Sequence, residues 1–192
     1  MAVNKLKKEI LMDKITNQFL EQIAGPLAPE IIKMYNTDKT FSPEEIAEKL
    51  KKKITTVRST LNSLHFRGIA CYKKVRNQQN LFDFYWEIKF KKIIELVIEH
   101  ESENLKKIEE TIDEQEGRDY FGCPKKCMEV PFEVAAAYNF KCHYCDRPLQ
   151  MLDSKTLNSA LKRKKRAITK NIEKLRAIVN KIEDKTTGYI CD

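Results

Sequence analysis

Two closely spaced cysteine pairs constrain this chain more than anything else in it. The sequence reads CPKKC at 123–127, then fourteen residues, then CHYC at 142–145. Pairs at this separation gather four soft thiolates tetrahedrally around Zn²⁺. Cys123, Cys127, Cys142 and Cys145 are therefore expected to bind one structural Zn²⁺. Four protein ligands leave no position for water and hence no Lewis-acid chemistry. The apolar residues between the pairs are few (Val130, Phe132, Val134, Tyr138, Phe140), so the metal stands in for a missing core. His143 lies between two ligands and reads as a surface residue; Cys71 reads as a small strand residue and Cys191 as part of a frayed tail.

Charge separates the rest of the 192 residues into blocks. Residues 1–94 carry 18 basic side chains against 10 acidic ones, and residues 95–119 carry 3 against 10. The cysteine segment 120–153 balances at 4 against 4, and residues 154–183 carry 10 against 2. A net charge of +8 suggests nucleic acid or an acidic partner, although the acidic block can answer part of it internally. No apolar run approaches the roughly 20 residues of a membrane span. Residues 1–15 are amphipathic and contain Glu9 and Asp13, unlike a signal or transit peptide. A cytosolic setting is expected, which favours metal ligation over disulfides for the cysteines.

The first block begins with helical spacing over 4–24, stopped by Gly25-Pro26, and a second helix from about Pro29 that ends at Asn36-Thr37-Asp38. Ser42 is a candidate N-cap, with Pro43 at the first helical position and Glu45 returning the capping bond. A further helix starts near Thr55 and is capped by Gly68. Strands at 69–75 and 81–88 flank a polar turn at 77–80. Helices followed by a β-hairpin is the order of a winged helix. Alternation would bury Phe82, Phe84 and Trp86 and leave Tyr85 with Asp83 on the other face.

Two long helices follow. Residues 90–116 place Ile94, Val97/Ile98, Leu105, Ile108 and Ile112 on a 3.5-residue repeat interrupted by Glu101. About 26 residues would span roughly 40 Å. Ser154 can cap the second, where Leu161, Ile168, Ile172, Leu175, Val179 and Ile182 repeat the pattern as far as a frayed end at Thr186-Thr187-Gly188. Either the acidic and basic helices lie antiparallel with Ile94–Ile112 against Leu161–Ile182, or each is a solvated helix seeking an external partner. Both readings stay open.

The sequence offers no catalytic constellation: no phosphate loop, no Ser/His/Asp order, and isolated histidines at 65, 100 and 143. No enzymatic activity and no small-molecule substrate are expected. Lys51, Lys52, Lys53 and Arg58, with Lys73, Lys74 and Arg76 in the wing, are candidates for phosphate contact. Tyr85 and Trp86 are candidates for stacking on unpaired bases or docking on a protein. Arg58, Asn62 and Arg67 form no dense basic face, which favours non-specific or melted-DNA contact, or a protein partner, over operator reading.

Taken together these residues resemble archaeal transcription factor E, the counterpart of the alpha subunit of general transcription factor IIE. The most specific stretch is CPKKCMEVPFEVAAAYNFKCHYCDRPLQMLDS at 123–154, and the aromatic run at 81–88 ending near Trp86 is similar to the family's wing. Asp146 stands where the family's ribbons often have glycine, and Asn80-Leu81 replaces a glycine opening the wing strand. The resemblance implies a mainly α protein with a small β component. Its segments would be a winged helix at 1–89, an acidic helical linker at 90–119, a four-cysteine zinc ribbon at 120–153, and a basic helix and tail at 154–192. It further implies a basal initiation factor, cytoplasmic and nucleoid-associated in an archaeal-type cell. Such a factor binds the RNA polymerase clamp and stalk, meets promoter DNA near the melted region beside other basal initiation factors, and stabilises the open promoter. The competing reading is a free-standing winged-helix regulator with a zinc-ribbon dimerisation module, binding duplex DNA as a dimer.

Overall fold

The computed structural model of the chain describes residues 10, 13–35, 40–152, 154–182 and 189–191. The expectations for Asn36–Asp38, for Thr186–Gly188, for the Ser154 side chain and for most of 4–12 lie outside the described residues. The chain divides into two compact units, Met1–Glu99 with Lys174–Asp192, and His100–Glu173.

The first unit starts with helix α1 (Lys14–Ala24). The helical pattern of 4–24 is not one continuous helix: Asp13 is extended and its carboxylate accepts from the Thr16 N–H at 3.0 Å, which caps a fresh start. Gly25, at φ +86, ends α1. Helix α2 (Ala28–Met34) has Pro29 in its first turn. Helix α3 (Pro43–Leu50) opens on a complete capping box: the Ser42 N–H donates to Glu45 Oε2 at 2.8 Å and the Glu45 N–H to Ser42 Oγ at 3.2 Å. Helix α4 (Ile54–Phe66) then leads into the antiparallel hairpin β1 (Ala70–Arg76) and β2 (Phe82–Ile88). Phe41 bridges to Trp86 on the far side of β2, so β1 is the outer strand. This is the helix and hairpin order of a winged helix.

The core of this unit is apolar and deep: Leu20, Ile31, Ile32, Ile46, Val57, Leu61, Leu64 and Ile69 are all fully buried. Helix α5 (Phe90–Gln115) contributes Phe90, Ile93, Ile94 and Val97 to the same cluster. The end of the basic helix enters it too. Leu175 and Ile178, near the end of helix α7 (Ser154–Val179), and Ile182 just beyond pack in this core.

In the second unit, Ile108 and Ile112 of α5 and Ile168 and Ile172 of α7 are buried. Lys165 Nζ stands 2.8 Å from Glu109 Oε1, and Lys162 Nζ 3.2 Å from Glu116 Oε1. The acidic and basic helices therefore run antiparallel and pair with one another. Ile178 is buried where the heptad reading placed Val179, and Leu105 is only half-buried. A three-stranded sheet of order β4 (Glu129–Pro131), β3 (Tyr120–Gly122), β5 (Gln150–Leu152) and a short helix α6 (Phe132–Ala137) complete the unit. A Cβ at Gly122 would fall 2.9 Å from the Leu152 side chain, which packs over the glycine and would have to shift to admit it.

Candidate metal centre and nucleic-acid interface

Cys123 follows directly on β3. The chain turns through Lys126, at φ +57, whose N–H reaches back to the Cys123 carbonyl at 2.7 Å, while the Cys123 N–H donates to the Met128 carbonyl at 3.0 Å. The second pair repeats the device. The Asp146 N–H donates to the Cys142 carbonyl at 2.8 Å, and the Cys142 N–H to the Arg147 carbonyl at 2.8 Å. Asp146 sits at φ +56, the left-handed geometry that glycine would adopt without strain. Asn80 does the same in the wing, at φ +64.

These two turns bring the four sulfurs of Cys123, Cys127, Cys142 and Cys145 within 4.8 Å of one another, close enough to hold a metal ion. Around them the apolar core is small: Ala135, Cys142 and Leu149 are buried, and Phe121, Phe132 and Phe140 meet in a ring cluster with centroids 5.0–6.1 Å apart. Burial opposes ionisation at Cys123, but the backbone N–H groups of Lys125 and Cys127 and the thiols of Cys145 and Cys142 bring it down to about 6. Desolvation pushes Cys127 up to about 12, helped by the Cys123 and Cys145 sulfurs. The Arg147 N–H favours the Cys145 thiolate, yet burial and the Cys123 and Cys142 sulfurs outweigh it and raise that thiol. Clustered thiolates repel one another, so four of them gather stably only around a cation. His143 is exposed and lies between the Tyr138 and Tyr144 rings, off the cluster.

In the winged helix the structure spreads the predicted contact residues over several faces. Lys51, Lys52 and Lys53 are exposed at the turn between α3 and α4, with Lys51 left-handed at φ +52. Arg58 is exposed but donates to Glu44 Oε1 at 2.7 Å. The hairpin register puts Lys74 and Arg76 opposite Phe84 and Phe82, and Lys73 opposite Tyr85 on the other face. Lys74 Nζ stands 5.8 Å from the Tyr72 ring and the Arg76 guanidinium 5.4 Å from the Phe82 ring.

The expected burial of three aromatics holds for one. Trp86 is buried, whereas Phe82 is 54% and Phe84 39% exposed, because the hairpin extends past the helices that cover its base. Tyr85 is half-buried. What the sequence reading missed is Tyr72, which pairs across the hairpin with Trp86 and meets the rings of His65, Phe84 and Trp86. His65 Nδ1 donates to the Ala70 carbonyl at 2.8 Å, which fixes its ring there. With Arg58 and Asn62 these residues line a groove of about 640 Å³ between α4 and the wing. Only the register could have revealed it, since Tyr72 lies far in sequence from the aromatic run.

Cys71 and Cys191 are not a plain strand residue and a frayed end: they are joined by a disulfide across 120 residues of chain. The expectation that metal ligation is favoured over disulfides fails for this pair; the other four cysteines are unbridged and close enough to hold a metal ion.

Comparison with known proteins adds a family. The model of the TFIIE alpha subunit matches residues 14–117. "Transcription factor E" of Saccharolobus islandicus (strain Y.N.15.51 / Yellowstone #2) is 31% identical over 135 residues, 70% of this chain and 77% of that one. "Transcription factor E" of Methanospirillum hungatei JF-1 is 26% identical over 166 residues, covering 86% and 96%; that of Thermococcus kodakarensis KOD1 is 28% identical over 149, covering 77% and 80%. Among solved structures, a possible transcriptional regulator from Methanosarcina mazei Go1 is similar over 56% of this chain and 85% of that one, at TM-score 0.34 and 14% identity.

Proposed function

The chain belongs to the TFIIE alpha-subunit family, and from that premise we propose that it is a basal initiation factor that binds the RNA polymerase clamp and stalk and stabilises the open promoter. The observation that carries this reading is the family match together with the two compact units, one containing the winged helix and one containing the four-cysteine segment. Two docking faces on one chain reinforce each other through effective concentration. By linkage, such a factor favours whichever polymerase state it binds more tightly, and no catalytic step is needed.

In this reading Cys123, Cys127, Cys142 and Cys145 hold one structural Zn²⁺, which fixes the ribbon's docking surface. Exposed Lys51, Lys52, Lys53, Lys73, Lys74 and Arg76 meet phosphates or acidic protein surface, with Arg58 available once it leaves Glu44. Tyr85 contributes contact from the wing, and buried Trp86 acts by holding the aromatic face in place. The factor works in the cytoplasm of an archaeal-type cell, where polymerase, promoter DNA and the other basal factors are.

Gel shifts on a pre-melted promoter, with and without polymerase, test the proposal. The expected result is weak binding by the factor alone and a stable complex when polymerase is present. Tight, sequence-specific duplex binding by the lone protein as a dimer would overturn it in favour of a winged-helix regulator.

A further inference from the structure

The last described residues, 189–191, lie along the winged-helix sheet, where Ile190 forms an isolated β-bridge with Tyr72. The Ile190 N–H donates to the Tyr72 carbonyl at 2.8 Å, and the Tyr72 N–H to the Ile190 carbonyl at 3.1 Å. β1 is the outer strand of its hairpin, so this pairing covers an edge that would otherwise present open backbone groups. Tyr72 and Ile190 exchange both hydrogen bonds, which makes Cys71 and Cys191 the adjacent, non-hydrogen-bonded pair. Such pairs bring side chains closest. Their Cα atoms are 4.8 Å apart, within the range a disulfide needs.

The two sulfurs differ in access. Cys71 is fully buried, and Cys191 is exposed. We infer that Cys71–Cys191 is a thiol–disulfide exchange site, worked by low-molecular-weight thiols and disulfides, that fastens and releases the segment 189–191 on the edge of β1. In closing, the Cys191 thiolate attacks one sulfur of a small disulfide and expels one small thiolate, leaving a mixed disulfide on Cys191. The Cys71 thiolate then attacks Cys191 Sγ and expels the second. Two protein thiols are oxidised to a disulfide, the small disulfide is reduced to two thiols, and the two protein protons pass to them. In opening, a small thiolate attacks the accessible Sγ of Cys191 and Cys71 leaves as the thiolate. A second small thiolate then attacks the mixed disulfide, freeing Cys191 and regenerating the small disulfide. The four clustered cysteines belong to the other unit and take no part.

The test uses the full-length, zinc-loaded protein in buffers of reduced and oxidised glutathione at graded ratios, read by alkylation and peptide mass and by deuterium exchange at the Tyr72 amide. The Cys71–Cys191 peptide should rise and fall with the glutathione ratio, and Tyr72 exchange should slow at least ~10-fold on closing. Cys191→Ser should exchange rapidly at every ratio. Cys71→Ala should accumulate glutathione on Cys191, because the thiol that resolves the mixed disulfide is gone. A Tyr72 exchange rate indifferent to the ratio, or Cys71 and Cys191 alkylated separately even in fully oxidised glutathione, would overturn the inference. So would a disulfide that stays closed in fully reduced glutathione without denaturant.

Discussion

Lys165 Nζ of the basic helix stands 2.8 Å from Glu109 Oε1 of the acidic helix, so two segments of opposite charge in one chain answer each other. Both side chains remain about two-fifths exposed, at 42% and 43%, which keeps the pair in a well-screened setting. Ile108 and Ile112 of the acidic helix and Ile168 and Ile172 of the basic one are buried in the same unit. Charge chooses which helix pairs with which, and apolar burial supplies most of the stability.

That division is measurable by urea denaturation. Glu109→Lys should cost less than about 1 kcal/mol, and adding Lys165→Glu should restore most of the loss. Ile112→Ala or Ile172→Ala should cost about 2–4 kcal/mol. A charge reversal as costly as the apolar truncations would show that the ion pairs hold the helices.

Metal removal should act on one unit first. A chelator added to the zinc-loaded protein is expected to melt the strands and turns around Cys123–Cys145, where only a small apolar cluster would remain. The winged helix keeps its own large core and should stay folded. Tryptophan fluorescence from Trp86, the only tryptophan, reports on the winged helix alone, and loss of its native signal together with the ribbon would contradict the separation.

Tyr35 gives the winged helix an alkaline limit. The residue is 2% exposed, its hydroxyl has no hydrogen-bond partner among the described residues, and burial raises its pKa far above the usual 10, with Glu45, Tyr189 and Glu87 adding in the same direction. Below pH 10 both folded and unfolded states carry the proton, so the contribution of a neutral Tyr35 is fully present. Above pH 10 only the unfolded state releases it, and stability falls by up to about 1.4 kcal/mol per pH unit from this group. Tyr35→Phe should remove that part of the slope in denaturation curves between pH 9 and about 11. An identical slope in both proteins would mean that the hydroxyl ionises normally.

Asp146 holds a left-handed backbone at φ +56 directly after the last cysteine of the cluster. Asp146→Gly should be neutral or stabilising by less than about 1 kcal/mol, since relief of strain is offset by a more flexible unfolded chain. Asp146→Val should destabilise the ribbon by about 1–2 kcal/mol and weaken metal retention in a competition with a chromogenic chelator. Equal stability of the valine and glycine forms would show that the turn tolerates any residue.

Local chemistry carried much of this protein in the sequence. The Ser42–Glu45 capping box and the two cysteine turns are each built from residues a few positions apart, and those spacings were enough. The order of helices and hairpin was legible because hydrophobic periodicity changes from 3.6 to 2 after Gly68. The tertiary structure alone decided what depends on distant register. It placed Tyr72 against Trp86, so that four of the wing's aromatics, Tyr72, Phe82, Phe84 and Trp86, share one face with Lys74 and Arg76. It paired the two long helices with each other, although an external partner would satisfy the same periodicity. It also brought Cys191 onto Cys71 across 120 residues, a contact that loop-closure entropy leaves invisible to any local pattern. The four-cysteine centre shows the boundary between the two: spacing named its members, and only the folded turns brought their sulfurs within 4.8 Å.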